Sequence, residues 1–195
     1  MDGVSAKATA EALTSALAAH REAVDSLEAL APRIACAADS IARSFAGGGQ
    51  LLVCGNGGSA ADAQHVVAEF VGRFLKERTA FPALALSTNS SAVTAIGNDY
   101  GFDEIFARQV RAHGRAGDVL LAISTSGTSP NVLAAIDAAH SSGMAVIGLA
   151  GGDGGTMAGR CDCCITVPVT STPRVQEAHI LVAHVICGLV EDALS

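Results

Sequence analysis

His65 and Glu69 stand four residues apart, directly after the turn Gly55-Asn56-Gly57-Gly58-Ser59. At helical pitch that spacing puts both side chains on one face, where they can meet a metal ion or a substrate together. The apolar run Gln50-Leu51-Leu52-Val53-Cys54 reads as a short buried strand, so the glycines fall where a strand hands over to a helix. Glycines let the backbone approach a ligand closely, and the free N–H groups of a helix start suit an anion. Ser59 is the expected N-cap, with Asp62 in the capping-box position. The same i,i+4 His/Glu spacing also fits a surface ion pair behind an ordinary turn.

Two further groups carry chemistry. Ala122-Ile123-Ser124-Thr125-Ser126-Gly127-Thr128-Ser129-Pro130-Asn131 follows the strand-like Asp118-Val119-Leu120-Leu121. Its hydroxyls, with an expected helix start at Ser129-Pro130, form a neutral cradle for a phosphate; a solvated Ser/Thr turn is the plain alternative. The last helix begins at Thr172-Pro173 by the same cap-plus-proline signal. Gln176 and His184 lie about 80° apart around it, so both can face one cleft. Polar side chains in so apolar a stretch need hydrogen bonds or a ligand, and a satisfied core histidine is the ordinary explanation for His184 alone.

These groups must be positioned by a chain of 195 residues, a length that suits one domain over 1–195. Residues 4–46 carry apolar side chains at three- and four-residue intervals, with a break expected near Pro32 and a stop at Gly47-Gly48-Gly49. Within the domain, 1–46 forms a helical extension and 47–195 an α/β core. Strands are expected at 50–54, 82–86, 118–123, 144–149 and 163–167. Helices are expected at 59–75, 102–112, 130–141 and 173–193, with a short turn near 155–160. That alternation implies a doubly wound five-stranded parallel sheet flanked by helices.

Composition narrows the function classes. The net charge of −7, with no cluster of Lys or Arg, argues against nucleic acid as a partner. No apolar run reaches the length of a membrane span and no signal-peptide order is present, so no membrane partner and a cytoplasmic location are expected. Cys161-Asp162-Cys163-Cys164 lacks zinc-knuckle spacing and is followed by apolar Ile165, so buried strand cysteines are favoured over metal ligands. The apolar stripes of residues 4–46 need a surface to cover them, in cis or on another subunit.

The chain resembles the phosphoheptose isomerases of the sugar-isomerase (SIS) domain family. The resemblance rests on GNGGSAADAQHVVAEF (55–70), TAIGNDYGF (94–102), AISTSGTSPNV (122–132) and TPRVQEAHI (172–180), in that order. It implies an SIS-like fold and conversion of sedoheptulose 7-phosphate to D-glycero-D-manno-heptose 7-phosphate, the first step toward nucleotide-activated heptose. It also implies a homotetramer with sites at subunit boundaries, and one zinc ion per site. Carried over by motif, His65, Glu69, Gln176 and His184 are the metal ligands, with Glu69 and His184 as the catalytic pair. Ser124, Thr125, Ser126 and Ser129 would hold the phosphate. Asn56, Gly57, Gly58, Ser59, Asn98 and Asp99 would contact the sugar, with Glu69 and Gln176 also touching substrate. Some family members carry Asp where this chain has Pro173, which puts one sugar contact in doubt. The rival reading is a non-catalytic phosphosugar-binding SIS regulator of the replication-initiator-associating type. Those regulators lack the catalytic Glu and the last His, which this chain keeps as Glu69 and His184.

Overall fold

A computed structural model describes residues 5–195; residues 1–4, where the expected helical extension begins, lie outside them. The five strands are β1 (Leu51–Gly55), β2 (Ala83–Ala85), β3 (Val119–Ser124), β4 (Ala145–Gly151) and β5 (Cys163–Val167). All neighbours pair in parallel, in the order β2-β1-β3-β4-β5. The helices are α1 (Ala6–Asp25), α2 (Ala31–Ala46), α3 (Gly58–Val71), α4 (Ser90–Tyr100), α5 (Ala107–His113), α6 (Pro130–Ser141) and α7 (Thr172–Leu194).

Every residue of β1 and β3 is buried, because helices cover both faces of the sheet. Alternate strand residues feed two cores. Leu51, Val53, Leu121, Ile123 and Leu149 pack toward α2, α3 and α7. Leu52, Cys54, Leu120, Ala122 and Val146 pack toward α5 and α6. The strand order reverses between β1 and β3, and the helices that follow them, α3 and α6, lie on opposite faces. In a doubly wound sheet that reversal opens a crevice beyond the strands' C-terminal ends. The β1–α3 and β3–α6 loops both lead into it.

Several boundaries differ from the sequence reading. The break expected near Pro32 is a 3-10 turn at Ser26–Leu30, and Pro32 itself sits in the first turn of α2. Proline is favoured there because the first-turn N–H has no intrahelical partner to lose. The expected helix at 102–112 divides into a 3-10 turn, Phe102–Glu104, and α5. Helix α4 was not expected at all. It buries none of its residues, and Thr94, Val93 and Gly97 weaken its propensity; the signal for it is the Asn89 cap, whose side chain accepts from Ala92 N–H. The two N-terminal helices also part company. Helix α2 buries Ile34, Ala37, Ala38 and Ile41 in the core, whereas α1 buries only Ala23 and leaves Leu13 and Leu17 exposed.

Candidate active site

Gly57, with φ 55°, occupies the cap position of α3, and no side chain caps that end. Ser59 therefore is not the N-cap: it lies buried inside the first turn, and the helix begins one residue before it. The tight strand-to-helix reversal needs a positive φ, which glycine accepts freely. Asp62 has no capping partner either; burial raises its carboxyl above the usual range against the pull of His65. At Gly58 the backbone comes close to the Gln176 amide, and a Cβ there would meet Nε2 at 2.4 Å unless that side chain shifted.

Helices α3 and α7 run side by side in the same direction. Gly58 meets Gln176, His65 meets His184, and Leu75 just beyond α3 meets Glu191. Three of the four expected ligands converge along this seam. His65 Nε2 lies 2.9 Å from His184 Nε2 and 3.3 Å from Glu69 Oε1. One donor atom from each residue falls within 4.8 Å of the other two. Two nitrogens that close must share a proton or a positive centre, because two lone pairs repel. Ligands 2.0–2.1 Å from one tetrahedral centre stand roughly 3.3 Å apart. The cluster therefore fits a zinc ion replacing the shared proton. Gln176 stands eight residues before His184, about 12 Å along the axis, with its amide over Gly58.

The second half of the site is the β3–α6 loop. Ser129 occupies the N-cap of α6 and Pro130 its first turn, as the sequence suggested, but the Ser129 hydroxyl does not cap the helix. Instead Ser129 Oγ lies 3.0 Å from Ser124 Oγ, which is 3.4 Å from Ser126 Oγ. Thr128 donates to Ser126 through both N–H and hydroxyl. The hydroxyls thus gather at a helix start that carries no cation. Thr125 supplies its carbonyl to Gly151 N–H, and Met157 N–H donates to the Gly127 carbonyl, so the loop after β4 braces this one. On α7 the cap is Ser171, one residue ahead of the expected Thr172.

Asn56 and Asn131 close the crevice with a reciprocal amide pair, each Nδ2 donating to the other's Oδ1 at 2.8 Å. Asn131 was not among the expected site residues; the structure shows it as a fully buried amide in the second position of α6. Asn98 and Asp99 sit exposed at the end of α4, hydrogen-bonded to each other, and no hydrogen bond joins them to the two loops among the described residues. Sequence reasoning also passed over His179. Its Nε2 lies 3.0 Å from the Ala150 carbonyl, its Nδ1 has no partner, and burial pushes its pKa down to about 4. A further missed group is the ion pair of Arg78 and Glu191, buried where α3 ends against α7. Burial acts to raise the Glu191 carboxyl, but three backbone N–H donors and Arg78 outweigh it and hold it below the usual range. Of the cysteines expected to be buried in a strand, Cys163 is buried in β5, Cys164 is half-buried there, and Cys161 is half-buried ahead of the strand.

The reversal of strand order, with phosphate-friendly loops on both sides, defines the class. Residues 17–151 match the SIS domain family. A phosphoheptose isomerase of Rhodospirillum rubrum is 62% identical over 84% of this chain and 87% of its own. The solved phosphoheptose isomerase GmhA of Neisseria gonorrhoeae superposes with a TM-score of 0.89 at 45% identity, covering 94% of this chain and 99% of that one. A phosphoheptose isomerase of Francisella tularensis gives a TM-score of 0.91 at 38% identity, over 94% of this chain and 98% of its own. The chain belongs to the phosphoheptose isomerase family of SIS-domain proteins.

Proposed function

We infer that the protein is an isomerase that interconverts sedoheptulose 7-phosphate and D-glycero-D-manno-heptose 7-phosphate. The observation that carries this reading is the convergence of Glu69 and His184, from two helices, at one point. The relatives named above support it over the regulator reading, as does the presence of both Glu69 and His184.

The chemistry moves a proton between C1 and C2 of the sugar through an enediol, so it needs a base, an acid and stabilisation of charge on oxygen. Glu69 takes the C1 proton of the ketose, and His184 gives a proton to the C2 carbonyl oxygen. The enediol collapses when His184, having given up its proton, takes the O1 proton and Glu69 returns a proton to C2. Glu69 turns Oε1 toward His65, which leaves Oε2 for this transfer. Ser124, Thr125, Ser126 and Ser129 hold the phosphate with hydroxyls and backbone N–H groups. Asn56, Gly57, Gly58 and Ser59 lie along the opposite lip of the crevice to receive the sugar. His65, Glu69 and His184 would hold zinc, which when bound supplies positive charge near the substrate oxygens, while Gln176, expected as a fourth ligand, turns its amide to Gly58 instead.

The working unit is an oligomer, with a tetramer as the expected form. Leu181, Val185 and Leu189 form an exposed stripe along α7 at four-residue spacing, and Leu13 and Leu17 of α1 add another. Apolar helix faces of this extent are covered in symmetric assemblies. No helix among the described residues is long and apolar enough to cross a membrane. Incubation of the purified protein with sedoheptulose 7-phosphate, followed by NMR, tests the reading: aldose signals should grow to equilibrium, and their absence would refute it.

A further inference from the structure

We propose that Phe74 is a positioning residue for His184, and that Arg78 and Glu191 form the clamp that keeps it in place. The proposal rests on the reading of His184 as the acid of the isomerase. Beyond Gly72, which follows α3, the chain has no regular structure until β2, yet its backbone is fixed. Glu191 on α7 accepts the N–H groups of Phe74, Leu75 and Lys76 at 3.1, 2.8 and 2.8 Å. Its Oε1 also accepts Arg78 Nε at 3.1 Å.

Arg78 completes the clamp from the other side. Its Nη2 donates to the carbonyl of Glu69 at 2.7 Å, and Nη1 to the carbonyls of Phe70, Gly72 and Thr79. These include carbonyls at the end of α3 that no intrahelical N–H can satisfy. The side chains of Arg78 and Glu191 are 5% and 2% exposed. A buried ion pair is a poor route to stability, because apolar residues of similar volume commonly do as well or better. Its strength is geometric, since each of its many hydrogen bonds fixes a direction.

The direction fixed here is that of Phe74. Its ring stacks on the His184 imidazole, with centroids 5.6 Å apart and planes 24° apart. Gly188, one turn beyond His184 on α7, lies against the same ring, where a Cβ would meet Phe74 Cε1 at an ordinary contact distance of 3.6 Å. With one face held by Phe74, the imidazole keeps its edge toward His65 and Glu69. The same guanidinium ties down the backbone of Glu69, so one clamp sets both members of the acid–base pair.

Phe74→Leu and Glu191→Gln test this by two readouts. In the unliganded protein, the ring-current shift of the His184 imidazole protons should vanish in Phe74→Leu and shrink in Glu191→Gln. With sedoheptulose 7-phosphate, kcat should fall about ten- to a hundredfold, the scale of a misplacement near 1 Å, with KM changed less than about twofold. A folded Glu191→Gln variant with wild-type His184 shifts and kcat would overturn the clamp. A wild-type kcat in Phe74→Leu would overturn the role of Phe74, and that variant keeps the ion pair should Glu191→Gln prove too unstable to purify. If the wild type does not turn over the sugar, the functional reading fails, and the His184 shifts alone still decide the clamp.

Discussion

Removing hydroxyls from the β3–α6 loop should weaken substrate binding without touching the proton-transfer groups. Ser124 and Ser129 lie 3.0 Å apart and, without a ligand, satisfy each other; Ser124 is buried and Ser129 half-buried. A phosphate would take a hydrogen bond from each. Hydrogen bonds to a charged group contribute about 1.5–3 kcal/mol, so either Ser→Ala change should raise KM by about 10- to 150-fold. The second change should cost less than the first, because the two hydroxyls orient each other; a double-mutant cycle measures that coupling. No Lys or Arg lies within 122–132, so KM should vary little with ionic strength. The assay is initial-rate kinetics of the single and double variants across salt concentration. KM within about twofold of wild type in Ser124→Ala/Ser129→Ala would place the phosphate elsewhere, and a steep salt dependence would point to a cationic site.

Glu69→Gln and His184→Ala should each cut kcat by at least about 10²–10⁴-fold while circular dichroism stays native, and wild-type rates in either would remove that residue from its role. Metal analysis of the purified protein should find zinc near one ion per site, with chelation lowering the rate; full activity in metal-free protein would leave the cluster with acid–base work alone. Leu17→Glu with Val185→Glu should shift light scattering toward monomer and reduce activity together, whereas an unchanged mass would place the interface on another face. His179 is 1% exposed with its pKa pushed down to about 4, against about 6.5 when unfolded. Between those values the unfolded chain binds more protons, so stability is complete above about pH 6.5 and is lost as pH falls through 4, by about 3 kcal/mol from this group. Denaturant titrations at several pH values should show that slope, and His179→Gln should flatten it.

The sequence alone determined the sheet, because buried parallel strands must be apolar on both faces and helices amphipathic between them. Runs such as Leu51-Leu52-Val53-Cys54 and Val119-Leu120-Leu121-Ala122 leave no other home. It also marked His65 and Glu69 as partners, since an i,i+4 pair is a local fact of helix geometry. What it could not decide were contacts between distant segments. The meeting of His65 with His184 spans 119 positions, and that of Phe74 with Glu191 spans 117. Both depend on the parallel packing of α3 against α7, which no local spacing encodes. Local capping rules failed at Ser59 and Thr172, because chain entry into α3 demanded a glycine backbone and α7 began one residue early. Helix α4 stayed hidden because it buries no residue, so no apolar stripe announces it. Periodicity reports which faces are covered; only tertiary packing reports what covers them, and His65 meets His184 at such a contact.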